Sequence, residues 1–420
     1  MFRFLHAADI HLDSPLRGLE AYEDAPVEQI RGSVRNAFDN LIDLAVNEDV
    51  AFVLIAGDLF DGDWKDYKTG LYFNNRMGIL REAGIRVFIV SGNHDAASQI
   101  TRSLHLPDNV TSFSSRKAET KVLDDLGVAI HGRSFPSRAV TEDLTQNYPQ
   151  ADPGVFNIGL LHTALTGRPG HEPYAPCTVD ALRSKGYQYW ALGHVHMREE
   201  ISKDPWIVFP GNIQARHIRE IGPKGCTIVT VEEGRVLEVE HHNTDVLRWG
   251  VCQVNLDGCE KEEECLERVR QSFEDQLERA EGRPIAVRVI LEGRTSLYGS
   301  LHRKAPHWIE EFKGIAAGLI DVWIEKTLFR TGSKTSSKEL PRDGSPLSAL
   351  NEEIKSLRKR KPVFTDLVPE LEQLRSKLPP DLLMDDSPFD LSDEEIEDLY
   401  GEITEVLTGR MLKQEGSDEN

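Results

Sequence analysis

Seven side chains in this sequence could hold metal ions if the fold brought them together: Asp9, His11, Asp58, Asn93, His162, His194 and His196. Each stands where an apolar run stops. Carboxylate oxygens, an asparagine carbonyl and neutral imidazoles suit a divalent cation of intermediate hardness, such as manganese, iron or zinc. Seven donors exceed the needs of one tetrahedral ion. They suit two ions roughly 3.5–4 Å apart with one carboxylate bridging. Such a pair makes a strong nucleophile of water at neutral pH and clamps the attacking and leaving oxygens of a phosphate ester. His94, next to Asn93, is then free to move a proton or to stabilise charge in the transition state. Asp61 and Asp95 stand close enough in sequence to take part directly, to orient the ligands or to form turns; Asp61 is grouped with His94 as a catalytic candidate. Asp13 reads as a turn residue and His131 as a hydrogen-bonded structural histidine.

The elements that must position these groups are legible as apolar runs. Phe2–Ala7 reads as a strand that leads into Asp9 and His11. A helical stretch over residues 27–47 precedes the apolar strand 51–56, which ends in Gly57 and Asp58. A second helix over 66–83 leads to the strand 86–90 and then to Asn93, His94 and Asp95. This βαβαβ order implies a parallel sheet covered on both faces. Strands at 156–161 and 206–209 read as a second sheet, and the run 189–193 leads to His194 and His196. Residues i and i+2 of a strand share a side, so these two histidines are expected to point the same way. In open α/β sheets ligands gather at the carboxyl ends of strands, which places all seven candidates at one end.

Farther along, residues 227–231 and 236–240 read as a hairpin. From about Val246 to Thr331 alternating strands flank a helix with Leu266, Val269, Phe273 and Leu277 on one face, a small second α/β domain. Residues 332–338 have linker composition. Beyond them Ser392 and Glu395 make a capping box ahead of an apolar stripe that includes Ile396, Leu399, Ile403 and Val406. The expected domains are therefore 1–245, 246–331 and 332–420.

Charge narrows the functions. The formal net charge is −21, and the 40 residues from Asp381 carry 14 acidic and 2 basic side chains. Such an excess argues against a broad, sequence-independent nucleic-acid surface. It leaves room for a local site where metal ions supply the positive charge. No apolar stretch reaches membrane-spanning length, and the N-terminus lacks the apolar core of a signal peptide. The five cysteines form no C-x-x-C pair. The expectation is a soluble, cytoplasmic protein without membrane contact and with reduced thiols.

Read together, D-x-H at Asp9, G-D-x-x-D at Gly57, G-N-H-D at Gly92, the lone His162 and G-H-x-H at Gly193 resemble the calcineurin-like metallophosphoesterase signature. The resemblance covers about the first 240 residues. Within that superfamily the opening Ala7–Leu12 and the stretch Phe209–His217 are similar to the SbcD-type DNA-repair exonucleases, most closely their YhaO-like branch. The resemblance implies the metallophosphoesterase fold, a two-sheet β-sandwich flanked by helices, followed by a small α/β capping domain and a helical C-terminal region. It implies that Asp9, His11, Asp58 and His196 hold one manganese ion and that Asp58, Asn93, His162 and His194 hold the other. His94 would act at the leaving group, and His171, Arg216 and His217 would be candidates for substrate contact. It further implies DNA as substrate, a homodimer, and an SMC-like coiled-coil ATPase partner. This chain has no P-loop, so ATP dependence would come from another chain. The alternative is a phosphodiesterase or phosphatase for a small nucleotide.

Overall fold

The computed structural model describes residues 1–13, 27–61, 67–97, 104–165 and 174–334, with isolated positions at 349, 352, 353 and 356. His171 and the C-terminal capping box with its stripe lie outside the described residues. Two compact units result. The first is Met1–Cys252 with Arg270–Val289 and Lys313–Lys326; the second takes Gln253–Val269, Ile290–Phe312 and the described residues from Thr327.

The chain begins with β1 (Phe2–Ala7), α1 (Val27–Asn47), β2 (Phe52–Ala56), α2 (Tyr67–Glu82), β3 (Arg86–Val90), α3 (Asn93–Ala97) and β4 (Val110–Ser112). Next come β5 (Glu119–Leu123), β6 (Val128–Gly132), β7 (Phe156–His162), α4 (Val179–Arg183), β8 (Tyr189–Gly193), β9 (Glu199–Lys203) and β10 (Trp206–Phe209). The hairpin β11 (Gly225–Glu232) and β12 (Arg235–Asn243) follows. Last are β13 (Arg248–Asn255), α5 (Glu262–Arg279), β14 (Ile285–Thr295), α6 (Tyr298–Arg303), α7 (Ala305–Leu319) and β15 (Val322–Ser333).

Among the described residues three sheets form, ordered β12-β11-β1-β2-β3-β4, β5-β6-β7-β8-β10-β9 and β13-β14-β15. The first two belong to the sandwich expected from the motif set. The hairpin joins the first sheet through β11, antiparallel to β1. Gly332 and Ser333 belong to the last strand rather than to a linker.

Both faces of the first sheet are covered, by helices on one and by the second sheet on the other. Leu5, Val53, Ile55 and Val87 pack against Phe38 and Leu41 of α1 and Met77 and Leu80 of α2. The alternate residues Phe4, Phe52, Leu54 and Phe88 pack against Ile130, Ile158, Leu160 and Tyr189 of the second sheet. The strand order β1-β2-β3 never reverses. Right-handed crossovers in one direction put every helix on one face, so the other face is left for a sheet.

His6 points into that inter-sheet core and is fully buried. Its Nδ1 lies 3.0 Å from Tyr189 Oη and its Nε2 3.1 Å from the Leu192 carbonyl oxygen. Burial pushes its pKa from 6.5 down to about 3, against the opposing pull of the Leu192 carbonyl. Below about pH 6.5 the unfolded chain therefore takes up a proton that the folded chain refuses, so this contribution to stability is full above that pH and is lost as pH falls toward 3. Urea unfolding between about pH 7.5 and 4.5 should show stability falling by up to about 1.4 kcal/mol per pH unit from this proton. His6→Gln should flatten that dependence, and an unchanged slope would exclude the assignment.

Candidate metal centre

The seven predicted ligands meet at the carboxyl end of the sandwich. Past β1 and β2 the two chains stay zipped together: Asp9 N–H donates to the Gly57 carbonyl at 3.0 Å and His11 N–H to the Asp58 carbonyl at 2.9 Å. This pairing sets Asp9 and His11 beside Asp58. The backbone there is unusual. Asp9, His11, Asp58 and His194 all have positive φ, at 50°, 47°, 53° and 106°. A left-handed L-residue costs roughly 1–2 kcal/mol, and such positions cluster where surrounding structure holds a functional geometry.

The sheets approach closely at this end. A Cβ on Gly193 would stand 1.9 Å from the Ala56 carbonyl oxygen, and one on Gly92 would stand 2.3 Å from Asp58 Oδ1. Only glycine lets β8 and the β3–α3 junction come this near to β2. The glycines of the motifs thus exist to bring the ligand-bearing strand ends together.

Two groups of donors result. Asp9, His11 and His196 offer ligand atoms within 4.8 Å of one another, as do Asp58, His162 and His194. His11 Nε2 and His196 Nε2 are 3.3 Å apart. Asp58 Oδ2 lies 3.5 Å from His162 Nε2 and 3.9 Å from His11 Nε2, so this carboxylate stands between the two groups. Asn93 Oδ1 is 3.0 Å from His162 Nε2. A third group, His11, Asp58 and His94, also falls within ligand reach.

Strand alternation does not explain His194 and His196. The strand stops at Gly193, and the turn at His194 redirects the chain. His194 lies with its ring centroid 5.2 Å from that of His162, and His196 lies 5.1 Å from His11. The His194 backbone N–H donates to both Asp9 oxygens, at 3.0 and 2.9 Å.

The donor set fits divalent cations. Asp9 and Asp58 are almost wholly buried, and buried charge is costly unless compensated. Burial, with the Arg216 guanidinium acting in the same direction, brings the His11 pKa down to about 3 despite the Asp61 carboxylate 3.5 Å from its Nδ1. His11 is therefore neutral, which leaves a lone pair for a metal and no charge to balance the carboxylates. Asp58 is nonetheless held well below the usual carboxylate range: burial raises it, and the surrounding imidazoles, His162 and His94 foremost, more than offset that.

The neighbours sort the remaining candidates. His94 Nδ1 is 2.5 Å from Asp61 Oδ1, and His94 N–H donates to Asp58 Oδ1 at 3.0 Å. Asp95 is turned away from the ligand cluster and accepts from the N–H groups of Leu59, Phe60 and Gly92 at 2.9–3.1 Å. It ties the Asp58 loop to the Asn93 loop. Arg216 is largely buried, with Nη1 3.7 Å from Asp61 Oδ2. His217 is half-exposed beside it. Asp13 accepts from Arg35 and Thr69, joining α1 and α2. His131 is bonded to Thr120 and Asn157 and stacked on Tyr187, a structural role. All five cysteines are free and buried.

Glu220 is the residue that strand-end reasoning passes over. Its Oε1 lies 2.6 Å from His196 Nδ1. It follows His196 by 24 residues in an irregular loop, with no periodicity to mark it. The only sequence signal is its place just after the Phe209–His217 stretch.

The calcineurin-like phosphoesterase model matches residues 2–198. A model for the middle domain of metallophosphoesterase YhaO matches residues 249–332. The uncharacterized metallophosphoesterase YhaO of Bacillus subtilis (strain 168) is 36% identical over 326 residues, spanning 77% of this chain and 76% of its own length. The DNA double-strand break repair protein Mre11 of Sulfurisphaera tokodaii is 25% identical over 328 residues, 73% of this chain and 79% of its own. Mre11 of Methanopyrus kandleri is 27% identical over 297 residues, 64% of this chain and 62% of its own. Among the described residues no helix is long and apolar enough to cross a membrane. The phosphoesterase match runs over every strand end that carries a donor, and the likeness to YhaO extends well past it, so the chain belongs to the calcineurin-like phosphoesterase family.

Proposed function

We propose that this chain is a two-metal phosphodiester hydrolase that degrades DNA from its ends, as the nuclease subunit of a repair or recombination complex. The observation that carries the reading is the reach of the Mre11 likeness. It covers 328 residues, where the phosphoesterase model stops at residue 198. An enzyme for a small nucleotide has less need of that second region. The domain division 1–245, 246–331 and 332–420 belongs to the same reading, supported by the separate match at 249–332. So do a homodimer, as the resemblance to nucleases of this kind implies, and an SMC-like coiled-coil ATPase partner, since this chain lacks a P-loop and ATP dependence would come from another chain. Five reduced cysteines suit the cytoplasm.

In this reading Asp9, His11, Asp58 and His196 hold one ion, and Asp58, Asn93, His162 and His194 hold the other, with manganese as the metal. When bound, the ions neutralise phosphate charge and lower the pKa of water. The chain's own residues do the rest. His94 is held through Nδ1 by Asp61, which leaves Nε2 to hand a proton to the leaving oxygen. Asp61 is in turn held by Arg216. Half-exposed His217 and the largely buried Arg216 beside it are the candidates for contact with a phosphate of the strand.

The test is digestion of end-labelled linear DNA by the purified chain with manganese, alongside a small chromogenic phosphodiester. Progressive shortening from the ends is expected, with its polarity given by the label. Cleavage of the small ester while DNA stays intact, even after the ATPase partner is added, would favour the small-nucleotide enzyme.

A further inference from the structure

We propose that Glu220 is the positioning residue of the His196 ligand, fixing which ring nitrogen faces the metal centre and thereby setting the affinity of one ion of the pair. The proposal rests on the reading of His196 as a ligand.

Five donors converge on this buried carboxylate. Oε1 takes His196 Nδ1 at 2.6 Å and Arg216 Nη2 at 3.3 Å, with His217 Nε2 at 3.6 Å. Oε2 takes Asn212 Nδ2 at 2.9 Å and the Arg216 backbone N–H at 2.7 Å. A carboxylate only accepts, so the proton on the His196 ring must sit on Nδ1. Nε2 then keeps its lone pair and points at His11 Nε2 and Asp9, 3.3 and 3.9 Å away. A carboxylate behind a ligating histidine fixes its tautomer and orientation and makes it a stronger donor.

The same loop also grips the His196 backbone. Its carbonyl oxygen accepts from Lys224 Nζ at 2.9 Å and from Asn212 N–H at 3.3 Å. The loop is itself anchored. Gln214 Nε2 donates to the Leu247 carbonyl at 2.8 Å, Val246 N–H donates to Gln214 Oε1 at 2.9 Å, and Thr244 Oγ1 donates to the Ile213 carbonyl at 2.9 Å. Ring and backbone of His196 are therefore both held by residues 212–224, which ordinary packing of one surface loop does not require.

Calorimetric titration of the full chain with Mn²⁺ tests this. Wild type should bind two ions. Glu220→Gln, nearly isosteric, should weaken one binding event by roughly 10–100-fold and leave the other unchanged. Because Glu220 acts through His196, the pair Glu220→Gln with His196→Ala should bind no worse than His196→Ala alone. Thermal melting without metal reports whether the variant folds. Should Glu220→Gln fail to fold, Glu220→Asp, which keeps the charge but falls short of His196, should give the same selective loss. Unchanged affinity, equal weakening of both events, or additive losses in the double variant would overturn the role. Failure of wild type to bind Mn²⁺ at all would overturn the metal centre and this role with it.

Discussion

Asp58→Asn is expected to remove both metal ions and, with them, hydrolysis. Among the described residues Asp58 is the one carboxylate that reaches both donor groups, with Oδ2 3.5 Å from His162 Nε2 and 3.9 Å from His11 Nε2. Asparagine keeps the shape and one oxygen, so the close approach of Gly92 and the bond from His94 N–H survive. What is lost is the negative charge between the two groups. Removing a partner outside the ligand set costs about 10–100-fold in affinity; removing the shared ligand should cost more than that at both positions. Metal content after dialysis against Mn²⁺, together with phosphodiester turnover, checks this. A variant that kept two ions and full turnover would exclude a bridging role. Asp9→Asn offers the contrast, since Asp9 belongs to one group only, and loss of a single ion is expected.

His94→Ala is expected to slow turnover by about 10²–10⁴-fold, the usual worth of a positioned acid or base, with both ions retained. Burial lowers the His94 pKa, but the charge of Asp58 and the hydrogen bond and charge of Asp61 outweigh it and raise it to about 9. The ring thus carries a proton at neutral pH. A cation beside Asp58 would cancel part of that charge and bring the value back toward neutrality. If the ring donates to the leaving oxygen, the rate falls as pH rises through this pKa, and His94→Ala abolishes that alkaline limb. The defect should also track the leaving group. A nitrophenolate leaves without a proton, so the variant should be impaired far less on a nitrophenyl ester than on DNA. Equal impairment on both, or loss of metal in the variant, would place His94 among the ligands, as its reach to His11 and Asp58 allows.

Much of this centre is legible along the chain because its information is local. An apolar run of five to seven residues followed by a carboxylate or imidazole reads as a strand end without any partner strand. Five such ends occur in order. The helix 27–47 and the strands 2–7 and 86–90 match their expected bounds for the same reason. The short strands β4 and β5 carry too few apolar residues to announce themselves, with burial confined to one residue in each. That both faces of the first sheet are covered is legible in its apolar strands, but what covers each face is not, because periodicity describes one element's faces and not what lies over them.

The sequence by itself determined the chemistry: which donor types are present, that each stands at a strand end, and that a glycine accompanies most of them. Only the tertiary structure decided the grouping. His11 meets His196 across 185 residues, and His162 meets Asn93 across 69. Those meetings depend on β8 closing onto β2 at Gly193, on the left-handed turns at Asp9, His11, Asp58 and His194, and on a loop that brings Glu220 behind His196. None of these has a local signature. Positive φ at a non-glycine residue costs energy in isolation and is held only when the packed sheets leave the chain no other path.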